Sequence, residues 1–230
     1  MVVRLKLGPS DLTQPLVHNR DRWDLPPRER LYRRGLKRAL DIFLVVLALP
    51  FVLPTTIILA TLIAARGHSP FYRQARLGRG GKVFTMWKLR TMVPDADKRL
   101  KEYLAGSDAA RQEWETFQKL RNDPRITQLG HFLRRSSLDE LPQLWNVLKG
   151  DMSLVGPRPM MPEQSVLYPG HAYYVLRPGL TGLWQVSDRN SSTFAQRAEF
   201  DAAYDRMLSF ATDVKVLFAT VGVVFRCTGK

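Results

Sequence analysis

The feature of this sequence best suited to chemistry is a pair of adjacent carboxylates, Asp139 and Glu140. Apolar residues follow the pair at the spacing of an amphipathic helix with one buried face. They are Leu141, Leu144, Trp145 and Leu148. Pro142 suits the first turn of such a helix, which places the helix start close to Asp139. Both carboxylates would then lie at the positive end of the helix dipole, which favours their ionised forms.

The same segment also allows a purely structural interpretation. Ser137 and Glu140 have the spacing of a capping box, in which Glu140 would serve only to begin the helix. Taken alone, the carboxylate segment favours this interpretation. The nearby run Gly156-Pro157-Arg158-Pro159 changes the balance, because its prolines restrict the backbone around Arg158. A guanidinium held rigidly near two carboxylates suits phosphate recognition, whereas the structural alternative for this run is a stiff surface turn.

Two carboxylates and an arginine can together transfer a phosphoryl group. The carboxylates can hold a divalent cation that neutralises the oxygens of a phosphate. One carboxylate can also attack phosphorus and form an acyl phosphate, which divides the transfer into two easier steps. The sequence therefore predicts phosphate chemistry at Asp139, Glu140 and Arg158.

A long apolar segment, residues 42–65, predicts where this chemistry takes place. The segment carries no charge, contains Pro50 and Pro54, and has basic residues on both sides. Because basic flanks stay on the cytoplasmic side of a membrane, a helix that breaks at Pro54 and returns is favoured over one that spans. Thr55 and Thr56 could satisfy backbone groups that the bend exposes. An ordinary spanning helix with a tolerated proline is the alternative.

The composition agrees with a membrane protein that binds anions. The 230 residues carry a formal charge of +14, which points to polyanions such as phosphorylated substrates, nucleic acid or anionic lipid. A single cysteine, Cys227, excludes an intrachain disulfide, as is typical of a protein in a reducing cytoplasm. The sequence contains no zinc signature, no Walker A loop and no Gly-x-Ser-x-Gly elbow.

The remaining segments predict a mostly α-helical protein with a small β-hairpin. Residues 71–76 and 82–90 flank a glycine-rich turn and are expected to pair. The glycines could cradle a phosphate, but a turn is favoured. Alternating charges over 95–121 predict a helical pair interrupted near Gly106. Residues 196–208 have one apolar helix face.

The chain divides into three predicted regions. They are a polar tail (1–27), a basic juxtamembrane helix with the membrane anchor (28–66), and a catalytic domain (67–230). The apolar end of that domain, residues 214–225, is too short to span a bilayer and is expected in the core or at the membrane interface.

Long motifs occur in order along most of the chain. They are Lys37-Arg38-Ala39-Leu40-Asp41, Gln74-x-Arg76-x-Gly78-x-x-Gly81, Phe84-x-x-x-Lys88-Leu89-Arg90-Thr91-Met92, Ser137 to Gln143, Gly150 to Pro159, and Arg177 to Gly182. In these motifs the sequence resembles the bacterial sugar transferase family, the small monotopic polyprenyl-phosphate phosphoglycosyl transferases. Within that family it is most similar to the undecaprenyl-phosphate galactose-phosphate transferases of exopolysaccharide synthesis.

The resemblance implies a reaction and a place. A UDP-sugar gives its sugar-1-phosphate to undecaprenyl phosphate, and a lipid diphosphosugar and UMP are formed. The implied fold is a re-entrant helix-break-helix anchor in the bacterial inner membrane, joined to a compact cytoplasmic domain with interfacial amphipathic helices. Galactose is the favoured sugar, with glucose and N-acetylated sugars as alternatives. Anionic membrane lipid is an expected partner, and a homodimer in the membrane is compatible with this interpretation.

The resemblance also implies roles for individual residues. Asp139 would be the nucleophile that forms a phosphosugar-aspartate intermediate, and Asp139 and Glu140 would hold Mg²⁺. Arg158 would bind a phosphate. A further extension places four more cations around the diphosphate or the lipid phosphate: Lys88, Arg90, Arg177 and Arg189.

Two departures from the family pattern stand in this sequence. Leu53-Pro54 replaces the frequent Ser-Pro of the helix break, and Asp188-Arg189-Asn190 replaces Gly-Arg-Asn. The first bears on the angle of the anchor, and the second on sugar or nucleotide preference.

Two other functions are weighed against the transferase. A catalytically silent scaffold of a polysaccharide assembly complex is disfavoured by the intact carboxylate pair, and a nucleic-acid-binding protein by the absence of a recognition module.

Overall fold

The computed structural model describes residues 31–117, 120–187 and 193–225. Within these ranges the protein is mostly α-helical, with one antiparallel hairpin and one short parallel pair of strands. The predicted fold class is therefore confirmed in its coarse form, although the parallel pair was not predicted. The polar tail, Arg189 and Cys227 lie outside the described residues.

The longest element is helix α1, Lys37–Ala64. A π-helical turn, Tyr32–Leu36, leads into it, and together they form a helix of 33 residues that is long and apolar enough to cross a membrane, judged by length and composition. Its outward side chains are apolar, since Phe43 is 63% and Phe51 78% exposed. A continuous exposed apolar surface of this kind is typical of a membrane contact.

The prolines of α1 do not interrupt it. The helical backbone runs through Pro54, so the predicted break appears here as one continuous helix with an internal proline. The hydroxyls of Thr55 and Thr56 donate to the carbonyls of Phe51 and Val52, each at 2.7 Å. The carbonyl that loses its amide donor at Pro54 is that of Pro50, four residues earlier, so these hydroxyls do not replace the missing bond as the sequence suggested.

Strands β1 (Phe71–Leu77) and β2 (Val83–Leu89) form the predicted hairpin. Gly80 and Gly81 in its turn have φ values of 70° and 74°, a conformation that glycine adopts without strain. The turn therefore requires these glycines. Lys88 lies near the other end of β2, opposite Tyr72, so the hairpin carries this lysine away from the turn.

Helices make up most of the remaining structure. They are α2 (Ala96–Ala105), α3 (Asp108–Phe117), α4 (Gln128–Arg135), α5 (Gln143–Lys149), α6 (Ala172–Val175), α7 (Leu183–Val186), α8 (Arg197–Met207) and α9 (Phe210–Phe225). The predicted helical pair is α2 and α3, which separate at Gly106, the cap of α2. Helix α8 buries Phe200 and Tyr204, which confirms the apolar face predicted there.

Helix α5 differs from its prediction. It begins at Gln143 rather than near Asp139, and Trp145 is 58% exposed instead of buried. Asn146 is buried in its place, because its amide donates to the Thr85 carbonyl at 2.7 Å and its carbonyl oxygen accepts from the Trp87 amide at 3.1 Å. A polar residue thus pairs with the backbone of β2, and the apolar periodicity could not reveal this.

The parallel strands β3 (Ser153–Val155) and β4 (Gly179–Thr181) meet at a very close approach of their backbones. Each has three residues, too few to give a periodic signal in the sequence. Gly156 follows β3, and a Cβ there would lie 2.3 Å from the Arg177 carbonyl oxygen. Only glycine fits, so the strand pair depends on this position.

We expect Gly156→Ala to lower the free energy of unfolding by at least about 2 kcal/mol, because the methyl group would force the two strands apart. Thermal unfolding of the purified protein in detergent would measure this change. The matched control is Gly35→Ala, since a Cβ at Gly35 meets no atom within 4 Å. Equal melting temperatures for the two variants would contradict the prediction.

The beginning of α1 is bonded to three separate parts of the protein. Lys37 Nζ lies 2.6 Å from Asp213 Oδ2 of α9. Arg38 donates to the carbonyls of Val147 and Leu148 at the end of α5. Asp41, only 3% exposed, accepts from the Ser153 hydroxyl at 2.8 Å and the Leu154 amide at 3.0 Å, both in β3. The membrane helix is therefore built into the fold.

Candidate active site

The carboxylate pair lies in a 3₁₀ turn, Leu138–Glu140, between α4 and α5. Ser137, which precedes it, has a φ of 57° and makes no side-chain cap. The capping-box interpretation is therefore wrong, because Glu140 directs its carboxylate to Lys88 instead. The left-handed residue turns the chain sharply between the two helices. The pair thus lies in its own turn before α5, which begins at Gln143.

Lys88 joins the two carboxylates from strand β2. Its Nζ lies 2.7 Å from Glu140 Oε1 and 3.9 Å from Asp139 Oδ2. The sequence named Lys88 as a phosphate-binding residue, and the structure brings it into the carboxylate pair. Its charge offsets part of the negative charge that two adjacent carboxylates concentrate there.

Asp139 is the more buried carboxylate, with 9% of its side chain exposed. Burial raises the pKa of Asp139 above its ordinary value, and neighbouring Glu140 raises it further. Lys88, Arg134 and Arg158 act in the opposite direction and favour the ionised form. Asp139 is therefore a desolvated carboxylate surrounded by cations, an environment suited to a nucleophile or a general base.

Arg134 supports the pair from the last turn of α4. Its Nε donates to the Thr91 hydroxyl at 2.9 Å, just beyond the end of β2. Burial lowers the pKa of Arg134, while Asp139 raises it. Thr91 therefore holds this arginine beside the carboxylates.

Arg158 lies on a backbone fixed from both sides. The Gly156 amide donates to the Thr181 carbonyl at 2.8 Å, and the Gly179 amide donates to the Pro157 carbonyl at 2.7 Å. These bonds extend the β3–β4 pairing up to the arginine. The rigid backbone predicted from the prolines is therefore present, and the strand pair contributes to it as well. The charge of Arg158 lowers the pKa of Asp139, so the two groups lie within electrostatic range of each other.

Two arginines beside Arg158 were not predicted as site residues. Arg76 of β1 donates to the Pro159 carbonyl at 3.4 Å, and Arg197 of α8 donates to the Arg158 carbonyl at 2.9 Å. Arg76 stands in the Gln74-x-Arg76 motif, a signal that could have identified it. Arg197 stands in no such motif, and only the folded chain brings it here.

Arg90 and Arg177 do not join the carboxylates. Arg90 donates from Nε to the Ser69 carbonyl at 2.8 Å and lines a cavity of about 280 Å³ beside Ile63 at the end of α1. Arg177 donates to the Gly150 carbonyl at 3.1 Å and lines a groove of about 580 Å³ that also contains the hairpin turn. Arg189 lies outside the described residues.

The donors available to a metal ion are few. Among residues 31–117, 120–187 and 193–225, no three His, Cys, Asp or Glu side chains gather as a metal site. Asp139 and Glu140 are adjacent oxygen donors, a set that suits Mg²⁺, which is commonly held by one or two carboxylates together with water and substrate phosphates. The pair therefore fits a magnesium ion that arrives with a phosphorylated substrate.

Comparisons with known proteins agree on one family. The family model described as "Bacterial sugar transferase" matches residues 32–227. The chain is 44% identical over 198 residues to a "UDP-galactose-lipid carrier transferase" of Erwinia amylovora, covering 85% of this chain and 42% of that protein. It is 46% identical over 198 residues to an "Undecaprenyl-phosphate galactose phosphotransferase" of Salmonella typhimurium, with the same coverage.

A third relative is similar along most of its length. "Exopolysaccharide production protein ExoY" of Sinorhizobium fredii is 42% identical over 197 residues, covering 84% of this chain and 87% of that protein. The chain thus spans less than half of the two longer relatives and most of this shorter one.

Proposed function

This chain belongs to the bacterial sugar transferase family, and from that premise we propose that it transfers a sugar-1-phosphate from a UDP-sugar to undecaprenyl phosphate. The observation that carries the proposal is the cluster of Asp139, Glu140 and Lys88 beside Arg158. Family membership confirms the resemblance drawn from the sequence. The names of the relatives support a lipid-phosphate acceptor and a place in exopolysaccharide synthesis.

Two displacements at phosphorus make up the proposed reaction. An oxygen of the Asp139 carboxylate attacks the β-phosphorus of the UDP-sugar, a new oxygen–phosphorus bond forms, and the bond to the bridging oxygen breaks. UMP leaves with that oxygen and its electron pair. An oxygen of undecaprenyl phosphate then attacks the same phosphorus, which releases the Asp139 carboxylate and gives the lipid diphosphosugar.

Residues around Asp139 prepare it for this role. Burial removes the water that would otherwise solvate the carboxylate, and Lys88 and Arg134 favour its ionised form. Arg158 is proposed to bind the substrate phosphate, since a guanidinium can donate two parallel hydrogen bonds to phosphate oxygens. Asp139 and Glu140 would hold Mg²⁺, which supplies positive charge to the phosphate oxygens when bound.

The membrane helix suits a substrate whose phosphate lies at the membrane surface. Helix α1 exposes apolar side chains along most of its length, and basic residues flank it on both sides. We propose that α1 bends at Pro54 while its helical backbone continues, and that it thereby enters and leaves the inner membrane on the cytoplasmic face, where the catalytic domain meets the acceptor. A very apolar lipid then does not have to leave the bilayer.

The proposed donor is UDP-galactose, with UDP-glucose and UDP-N-acetylated sugars as alternatives. Support for galactose comes from the names of the Erwinia and Salmonella relatives.

The first experiment is therefore UMP release from a panel of UDP-sugars, in the presence of undecaprenyl phosphate and Mg²⁺. Release with one sugar, lost in EDTA and in Asp139→Asn, would establish the reaction class and identify the donor. No release with any UDP-sugar would contradict the proposal in favour of a silent scaffold or another nucleotide.

The pH dependence should reveal the balance of charges at Asp139. Only the ionised carboxylate can attack, so kcat/KM should fall as the pH falls through the raised pKa of Asp139. Lys88 lowers this pKa, and its removal in Lys88→Met should raise it further. We therefore expect the acidic limb of the pH–rate profile to move to higher pH in Lys88→Met.

The matched control is Lys82→Met, which removes an exposed lysine just before the same strand. Its acidic limb should coincide with that of the wild type. An unchanged limb in Lys88→Met would show that Lys88 does not tune the reacting carboxylate.

A further inference from the structure

Arg76, Arg158 and Arg197 gather around one short loop and come from three distant parts of the chain. Arg76 Nη1 donates to the Pro159 carbonyl at 3.4 Å, and Arg197 Nη2 donates to the Arg158 carbonyl at 2.9 Å. Arg158 and Arg197 also lie over the same aromatic ring, with their guanidinium carbons 5.9 Å and 4.8 Å from the ring centre of Trp184. Arg76 and Arg197 thus bond to the carbonyls of two consecutive residues, Pro159 and Arg158, and the positive charge of Arg158 lies beside them.

The cluster has too little negative charge of its own. Within the described part of the chain, no carboxylate comes within ion-pair distance (4.0 Å) of any of the three guanidiniums. The nearby carboxylate of Asp201 accepts a hydrogen bond from the Tyr168 hydroxyl at 2.9 Å. Burial raises the pKa of Asp201 to about 7, so this group is a weak counter-charge near neutral pH.

Arg76 has a donor that no residue uses. Its Nη2 donates to Gln74 Oε1 at 2.6 Å, but its Nε is buried and has no hydrogen-bond partner among the described residues. Burial, and next the charge of Arg158, lower the pKa values of Arg76 and Arg197 to about 10. Buried like charges repel each other and need an anion to offset them. The unfilled donor and the missing counter-charge together indicate an anionic ligand.

The geometry of the proposed displacement points to one phosphate of the donor. The transferred phosphorus must lie within bonding reach of Asp139, where Lys88 and Glu140 also lie. In an in-line displacement, the attacking and leaving oxygens stand on opposite sides of phosphorus. The leaving phosphate therefore needs its own cations beyond the carboxylates, and fixed guanidiniums suit it because they can neutralise charge as it develops.

We propose that Arg76, Arg158 and Arg197 form one site for the nucleotide phosphate of the donor, the group that departs as UMP. This inference rests on the proposed function and extends it to two arginines, Arg76 and Arg197. Arg76 offers its unfilled Nε–H to the phosphate, Arg158 donates with parallel N–H groups, and Arg197 holds the Arg158 backbone and adds charge. The Trp184 ring contacts both Arg158 and Arg197 and helps to keep their guanidiniums in place.

The test is binding of UMP and uridine to the full-length protein in lipid nanodiscs, measured by calorimetry or by competition. Arg76→Gln removes one positive charge and the unfilled Nε donor. We therefore expect its Kd for UMP to rise at least about tenfold. Uridine carries no phosphate, and its Kd should stay within about twofold of the wild-type value. Arg76→Lys keeps the positive charge but lacks the Nε donor, and its Kd for UMP should lie between those of the wild type and Arg76→Gln.

The matched control is Arg73→Gln. Arg73 lies on the same strand, is exposed, and stacks on Trp87 at 5.5 Å instead of facing the cluster. Its UMP affinity should equal that of the wild type. An equal loss of uridine binding in Arg76→Gln would show general damage to the fold and would overturn the proposal. An unchanged Kd for UMP would overturn it as well.

A second arm separates the nucleotide phosphate from the lipid phosphate, since both are phosphate esters. KM for undecaprenyl phosphate should be unchanged in Arg76→Gln. A higher KM for the lipid with unchanged UMP binding would assign the cluster to the acceptor instead. If no UDP-sugar reacts but UMP binding still depends on Arg76, the proposed reaction fails and the phosphate site stands. A wild-type protein that binds no UMP would refute the site itself.

Discussion

Replacement of Asp139 by asparagine is expected to abolish transfer, with a loss of at least about 10³-fold, the scale seen when a catalytic nucleophile is removed. Asparagine has nearly the same shape as aspartate but cannot form the acyl phosphate. Because burial already disfavours the ionised carboxylate, the neutral amide should leave thermal stability unchanged or higher. The measurement is UMP release together with trapping of a labelled phosphosugar on the protein.

Two comparisons make this result interpretable. Glu140→Gln keeps the proposed nucleophile, so the labelled adduct should still form, although more slowly. Membrane association of Asp139→Asn should equal that of the wild type in a flotation experiment, because α1 is untouched. Normal turnover by Asp139→Asn would remove the assignment of the nucleophile.

Replacement of Arg158 is expected to have the second largest effect. Arg158→Ala should lower kcat/KM by about 10²-fold or more, the scale seen when a preorganised donor to a developing charge is lost. Arg158→Lys should recover little of this, because an ammonium group cannot form two parallel bonds to a phosphate. Steady-state kinetics with the donor identified in the sugar panel would measure both changes.

The control for Arg158 removes an exposed positive charge that makes no contact with the carboxylate pair among the described ion pairs. Arg121, whose side chain is 91% exposed, can be replaced by alanine for this purpose, and its kinetics should match the wild type. Melting temperatures of both variants would separate a loss of function from a loss of folding. A loss of less than about tenfold in Arg158→Ala, roughly 1.4 kcal/mol, would show that the phosphate role is wrong.

The sequence predicted those parts of the structure that depend on local signals. Glycines at the turn and β-forming residues around it identified the hairpin, and the charge pattern with Gly106 identified α2 and α3. The apolar run identified α1, since composition and length predict a helix that is long and apolar enough to cross a membrane. In each case the residues that determine the conformation lie within the element they form or next to it.

The sequence failed where distant segments determine the conformation. Ser137 has the spacing of a helix cap but adopts a left-handed conformation, because the chain must turn between α4 and α5 to bring Glu140 to Lys88. Asn146 is buried because it bonds to β2, although a polar residue predicts exposure. Strands of three residues carry too little pattern to be recognised.

The residues of the candidate site also differ in whether the sequence could identify them. Motifs identified Asp139, Glu140, Lys88 and Arg158, which the fold does bring together. The same motif reasoning named Arg90 and Arg177, which lie in other cavities. A basic side chain in a motif does not reveal the direction in which the fold points it. Arg197 is the reverse case, a residue without a motif that tertiary structure places at the loop.

The bonds from the start of α1 to α9, α5 and β3 bear on how such a protein can be handled in the laboratory. A soluble catalytic fragment obtained by deleting the helix would lose Lys37, Arg38 and Asp41 at once. The buried Asp213 carboxylate would then lose its ion pair with Lys37 and keep only the Tyr204 hydroxyl among these contacts, and the Leu154 amide would lose its partner. Each such loss destabilises a fold by about 1–3 kcal/mol. Inhibitor screening therefore requires the intact chain in detergent or nanodiscs, and compounds that loosen this helix junction become a second route to inhibition.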